Sequence, residues 1–257
     1  MYKSRRWKYG NCIEVKESHT ARCGAPGQPR EKKTRPTPEA VRKQNQRRKE
    51  EQASRIVAAN FEEGDLVRTL TFRKENRPKS MEEAQAVFKR FYERLRKEYR
   101  KRFYDLYWIA SIENTPGGAW HIHFICNKIF GASDIIKELW DGNGGVFDQT
   151  LKDLQGRDIG KYMAKTPAST EKGEHRVTEA KLTHSRNLTI PKPEEKIITG
   201  WKMTDEPRPP KGYYLVKDSV YEGVNADGYP YRGYKFKRLT PLEPKSRRWK
   251  PPGKKKR

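Results

Sequence analysis

The chain has 257 residues, of which 57 are Lys or Arg and 33 are Asp or Glu, a formal charge of +24. Only 33% are hydrophobic, with a mean hydropathy of −1.12; no run of ~18 apolar residues could cross a membrane, and Met1–Trp7 lacks the apolar stretch of a secretory signal. Three cysteines cannot build a disulfide framework, which suits a cytoplasmic location, and a pI near 9.9 calls for a polyanionic partner, most often nucleic acid.

The charge is unevenly spread. Residues 1–56 hold 16 basic and 6 acidic residues, and residues 239–257 hold 8 and 1, so the flanks carry +10 and +7. The expected organisation is a basic N-terminal segment with a polar helix (1–56), a folded core (57–200), a Tyr-rich β extension (201–238) and a basic disordered tail (239–257). Thr37-Pro38-Glu39 reads as N-cap, first-turn Pro and first-turn acid of a helix running towards Ala59. Its middle, Arg42 to Lys49, is polar on every side, which suits phosphates or water better than a core.

Leu66–Phe72 is rich in β-formers, with Leu66, Leu70 and Phe72 on one face, and is expected as a strand. Ser80-Met81-Glu82-Glu83 is a capping box. Behind it Ala84, Val87, Phe88, Phe91, Leu95, Tyr99 and Phe103 recur at helical spacing, predicting one long amphipathic helix laid against a sheet. Two strands, 106–113 and 119–127, flank the loop Asn114-Thr115-Pro116-Gly117-Gly118. A short helix, 134–140, with Ser133 as cap, a strand near 146–149 and a helix near 157–165 complete the core. This order predicts an α+β fold with a central antiparallel sheet and helices on one face. Strands over 212–216 and 231–236 are expected around an Asn225-Ala226-Asp227-Gly228 turn. The tyrosines between Tyr213 and Tyr234 read either as stacking platforms for bases or as packing in an added sheet layer.

The segment Ala119-Trp120-His121-Ile122-His123-Phe124-Ile125-Cys126 carries the chemistry. Strand alternation puts Trp120, Ile122, Phe124 and Cys126 on the core face and both histidines on the other. With Pro116-Gly117-Gly118 as the loop, Ile112 meets Ile122, Ala110 meets Phe124 and Trp108 meets Cys126. The same register sets Glu113 opposite His121, where paired Cβ atoms lie ~5 Å apart. Two imidazoles and a carboxylate at one point suit a divalent ion with open coordination positions. The bare His-x-His pair reads equally as two surface histidines; the facing glutamate favours the metal. Cys12, His19 and Cys23 lack a fourth ligand and read as chance, and Gly27–Thr34 falls short of a phosphate-binding loop.

Tyr162 and Lys165 stand three apart on the expected helix, hence on one face. A phenol of pKa ~10 is a poor nucleophile at neutral pH, and a nearby ammonium and a metal would favour the phenolate. Spacing alone favours a core aromatic for Tyr162, between Ile159 and Met163.

The order of motifs resembles the HUH endonucleases, specifically rolling-circle replication initiators (Rep proteins) of bacterial phages, plasmids and mobile elements. Leu70-Thr71-Phe72 looks like their first motif, Glu113 with His121-Ile122-His123 like the metal motif, and Tyr162-Met163-Ala164-Lys165 like the nucleophile motif. Weaker segments extend it along the chain: Thr37-Pro38-Glu39 with Asn45, Ala59-Asn60-Phe61, Ser185-Arg186-Asn187-Leu188 and Lys211-Gly212-Tyr213-Tyr214. The resemblance implies a single-tyrosine nickase. Tyr162 attacks an origin phosphodiester, keeps the 5′-phosphate and frees a 3′-OH, while Lys165 positions or activates the phenol. Mg2+ or Mn2+ on Glu113, His121 and His123 holds the phosphate. Arg42, Lys43, Arg47, Arg48, Arg186, Asn187, Arg247 and Arg248 are the expected DNA contacts. The implied partners are single-stranded origin DNA, a host helicase and a host DNA polymerase, and no membrane. Termination calls for a second protomer (a homodimer), a second strand transfer by Tyr162, or water. Two other readings stay open: an HUH relaxase or transposase, and a non-catalytic basic nucleic-acid-binding protein.

Overall fold

The computed structural model describes residues 1–19, 31–151, 157–167, 177–199, 206–243 and 247. Cys23, Arg248 and the rest of the basic tail lie outside the described residues. The elements in chain order are β1 (Tyr2–Tyr9), β2 (Cys12–Ser18), α1 (Pro38–Asn60), β3 (Leu66–Thr71), α2 (Met81–Lys101), β4 (Trp108–Thr115) and β5 (Ala119–Cys126). They continue with α3 (Ala132–Trp140), β6 (Val146–Thr150), α4 (Arg157–Met163), β7 (Glu179–His184), β8 (Glu194–Ile198), β9 (Tyr213–Val224) and β10 (Pro230–Arg238). The fold is α+β, with two antiparallel five-stranded sheets ordered β8-β1-β2-β10-β9 and β6-β3-β5-β4-β7. They fall in separate compact units, Met1–Val41 with Ile190–Glu243, and Arg42–Thr189 with the C-terminal segment that holds Arg247.

The first unit contains two strands that the sequence pattern does not announce. Tyr9 pairs with Cys12, leaving Gly10-Asn11 as a two-residue hairpin loop with Gly10 at φ 49°. Glycine takes that left-handed conformation without steric cost, and its place at the loop's first position is a hairpin signature. β10 then pairs with β2, and β9 with β10 through the Asn225–Gly228 turn. The Tyr-rich segment is thus sheet, as one of its two readings has it.

The second unit builds the core. In β4–β5, Ile112 faces Ile122, Ala110 faces Phe124, Trp108 faces Cys126 and Glu113 faces His121, as the loop length predicts. Those apolar residues form one face, buried beneath Phe88, Phe91, Leu95 and Tyr99 of α2 and Ile136 and Trp140 of α3. Ser80 caps α2 by accepting from the Glu83 N–H at 3.3 Å. For α3 the expected Ser133 cap is corrected: Gly131 is the N-cap, at φ 71°. The Ser133 hydroxyl instead accepts from Arg68 at 2.7 Å.

Helices occupy both faces rather than one. On the side opposite α2 and α3, Ala53, Ile56 and Val57 of α1 and Met163 of α4 bury Val67, Ile109 and Ile125 of the sheet. The reason lies in α1, whose sequence turns apolar only at its end. Its first half is exposed and polar as expected, whereas Ala53, Ile56 and Val57 are spaced as one helical stripe and pack. The second unit therefore starts at Arg42, earlier than the expected start of the core at residue 57. α4 docks closely on α1 at Gly160, where a Cβ would lie 2.3 Å from both the Glu50 carbonyl oxygen and the Ser54 hydroxyl.

Candidate metal and nucleophile site

Strand pleating sets the site. Glu113 on β4 and His121 and His123 on β5 share the sheet face beneath α1 and α4, and β3 adds Thr69 opposite His123. Glu113 is 0% exposed and His123 is 7% exposed, so this is a buried pocket rather than a surface pair. The Nε2 atoms of His121 and His123 lie 3.3 and 3.2 Å from one carboxylate oxygen, Glu113 Oε2. The other oxygen accepts from the Ser111 hydroxyl at 3.0 Å, which fixes the carboxylate plane. Burial alone would raise the Glu113 pKa; hydrogen bonds from the two histidines, with the charge of Lys165, overcome it and keep the group ionised.

One ligand atom from each of the three residues can be chosen so that all lie within 4.8 Å of one another. Two imidazole nitrogens and one carboxylate oxygen fit a divalent cation and leave coordination positions for water or a phosphate oxygen.

Tyr162 and Lys165 join the same cluster. Helix α4 ends at Met163, so Lys165 lies just beyond it and reaches back with its side chain. Its Nζ is 3.2 Å from Glu113 Oε2 and 3.1 Å from His123 Nε2. The Tyr162 hydroxyl is 2.6 Å from His123 Nδ1 and 3.2 Å from the Thr69 hydroxyl. It also donates to Gln149 Oε1 at 3.3 Å. An ammonium can only donate, so His123 Nε2 carries the lone pair and Nδ1 the proton, and Nδ1–H donates to the phenol oxygen. Burial depresses the His123 pKa and keeps the ring neutral. Burial likewise raises the Tyr162 pKa, the Thr69 hydrogen bond opposing it.

The loop around Lys165 is held from α1. Gln46 Nε2 donates to the Ala164 carbonyl at 2.7 Å and to Glu50 at 2.9 Å, while its Oε1 accepts from the Thr166 hydroxyl at 2.8 Å. Those bonds bracket Lys165 on both sides. Beside it a cleft of about 400 Å3 runs between α1 and β7, lined by residues including Lys49, Gln52, Leu182 and His184.

Residues 65–167 match the family model of the replication-associated protein ORF2. The match supports a Rep-type replication initiator, and with it a part in DNA replication and DNA as a partner. The matched segment contains Thr69, Glu113, His121, His123, Gln149, Tyr162 and Lys165; Gln46 lies outside it. No curated protein and no solved structure matches the chain.

The structure thus brings together all five residues expected at the catalytic centre. The expected DNA contacts are spread more widely. Arg42, Lys43, Arg47 and Arg48 lie on the exposed half of α1, and Arg186 and Asn187 are exposed after β7. Arg247 is turned inward, with its guanidinium 2.8 Å from both Asp65 oxygens and 2.9 Å from the Asn60 carbonyl. Sequence reasoning missed Thr69, Gln149 and Gln46. Alternation along β3 does place Thr69 on the face away from Leu66 and Leu70, a usable signal; nothing local marks the two glutamines. No helix among the described residues is long and apolar enough to cross a membrane.

Proposed function

We propose that the chain is a single-tyrosine HUH nickase that initiates rolling-circle replication. The observation that carries this reading is one imidazole with two neighbours. His123 turns Nδ1 to the Tyr162 hydroxyl and Nε2 to the shared oxygen of Glu113, joining nucleophile and metal ligands through a single ring. A structural tyrosine has no need of that arrangement.

Glu113, His121 and His123 hold Mg2+ or Mn2+, which supplies Lewis-acid polarisation of the scissile phosphate. Thr69 and His123 Nδ1–H both point at the phenol oxygen and stabilise the charge that develops as its proton leaves. Gln149 accepts that proton's hydrogen bond but is no base, so the proton passes to solvent. Tyr162 Oη forms a bond to phosphorus as the bond from phosphorus to the 3′-oxygen breaks. The departing oxygen takes a proton to become the 3′-OH primer, and the 5′-phosphate stays on Tyr162. Lys165 offers its charge beside both the ring and the carboxylate. The cleft beside Lys165 gives the strand room, with Arg42, Lys43, Arg47 and Arg48 gripping DNA on the exposed half of α1, joined by Arg186, Asn187 and the basic tail. A host helicase and polymerase extend the primer in the bacterial cytoplasm, and a homodimer supplies the second tyrosine for termination.

Incubation with single-stranded origin DNA and Mn2+ tests the reading. The expected product is an SDS-stable adduct that maps to Tyr162, is absent from Tyr162→Phe and is abolished by EDTA. Wild-type protein that forms no adduct, or Tyr162→Phe protein that forms it equally well, overturns the reading.

A further inference from the structure

Phe147 is a large apolar side chain left 61% exposed in the middle of a strand. Pleating of β6 explains which way it faces. Its neighbours Val146 and Asp148 belong to the side of α2 and α3: Val146 packs on that core, and Asp148 forms ion pairs with Arg68 and Lys137 at 3.0 and 3.1 Å. Phe147 and Gln149 therefore share the opposite face, the one that carries the metal and nucleophile residues. Gln149 reaches the Tyr162 hydroxyl from there.

The cross-strand register gives the distance scale. Phe147 is the direct partner of Thr69, whose own partner on the other side is His123. Directly paired residues have Cβ atoms ~4.5–5.5 Å apart, so the ring stands one strand from Thr69 and two from the imidazole that holds the tyrosine. The ring lies along Gly145, where a Cβ would be 3.6 Å from Phe147 Cε2 and 3.2 Å from the Thr71 hydroxyl. Thr71 is in turn the partner of His121. Glycine at 145 thus leaves that edge of the ring clear.

We infer that Phe147 is a stacking platform for an unpaired base next to the scissile phosphate. Its choice of ligand rests on the nicking reading. An exposed aromatic ring within two strands of a phosphate-cutting centre meets the nucleotide adjoining that phosphate, because a single-stranded chain laid over the site carries its bases a few ångströms from each phosphate. Stacking needs only a flat π-face and tolerates any base, so Phe147 adds grip and orientation without reading sequence. It holds the strand flat as the phosphorus meets Tyr162. No arginine or lysine on β6 can substitute for it, since the other side chains that share its face, Gln149 among the described ones, are uncharged.

The test measures binding without turnover, in Tyr162→Phe protein, to fluorescein-labelled oligothymidylate and to an abasic deoxyribose-phosphate strand of the same length. Phe147→Ala is expected to weaken oligothymidylate binding roughly tenfold and to leave the abasic strand unaffected, with Phe147→Trp restoring the affinity. A 5-iodouracil strand should photo-crosslink to the peptide that contains Phe147. Equal affinity of Phe147→Ala for oligothymidylate overturns the inference. So does the same loss on both strands, or a change in self-association in place of strand affinity. Failure of the two readings can be told apart. A base-dependent Phe147 penalty in a protein that makes no Tyr162 adduct leaves stacking standing and removes the nicking. An adduct with no Phe147 penalty removes stacking alone.

Discussion

The two five-stranded sheets bury their acids in opposite ways. In the first unit Glu17 is 7% exposed and meets Arg232 at 2.7 Å, with the Tyr234 hydroxyl donating at 3.1 Å. Glu14 accepts from the Tyr9 hydroxyl at 2.9 Å. Here a carboxylate has a dedicated cation or phenol, and four buried apolar residues (Ile13, Val15, Tyr234 and Phe236) pack around it. In the second unit Glu113 is more deeply buried, yet one of its oxygens faces two imidazoles and an ammonium at once. A paired acid completes a structure, whereas an acid shared by convergent donors makes a site. Covering the second sheet on both faces is what keeps water from dissolving that convergence.

Four changes would sharpen or break this contrast, the strongest first. Tyr162→Phe should cut adduct formation by at least about a thousandfold, because the nucleophilic oxygen is gone; oligothymidylate affinity, read by fluorescence anisotropy, should stay within about twofold. Glu17→Ala should lower unfolding free energy by about 3–5 kcal/mol, since it strands a buried guanidinium. Urea denaturation would measure that, and nicking per folded molecule should not move. An equal fall in nicking would show that the first sheet serves more than structure. Glu113→Gln should weaken Mn2+ affinity by roughly a hundredfold, read by calorimetry on DNA-free protein. Wild-type Mn2+ affinity in that variant would remove Glu113 from the ligand set. Gln46→Met should cost about tenfold in the nicking rate with little loss of stability, because the bonds that bracket Lys165 are broken. Its effect should vanish in Lys165→Ala protein, and a full additive loss would show that Gln46 acts elsewhere.

Much of the centre was legible because hairpins are local. A three-residue loop and an alternating pattern decide which residues face each other, and that gave Glu113 opposite His121. The β1–β2 hairpin was equally local, with Gly10-Asn11 as its signal, but Lys and Arg along β1 hid the alternation. Gln46 could not be read at all, since it bonds to residues 118 and 120 positions away. The covering of the site face by α1 was hidden for a related reason. A helix polar over its first half gives no sign of where its short apolar stripe will dock.

By itself the sequence determined the α+β class, the register of β4 on β5 and the identity of the five residues that meet at the centre. Periodicity and loop length act within a few residues, and they are enough for those. Only the tertiary structure decided that α4 lies across the sheet at Gly160, that Thr69 and Gln149 flank the Tyr162 hydroxyl, and that Phe147 stands uncovered beside them. Each of those depends on side-chain packing between segments far apart in the chain, where contacts are chosen by shape and burial rather than by spacing.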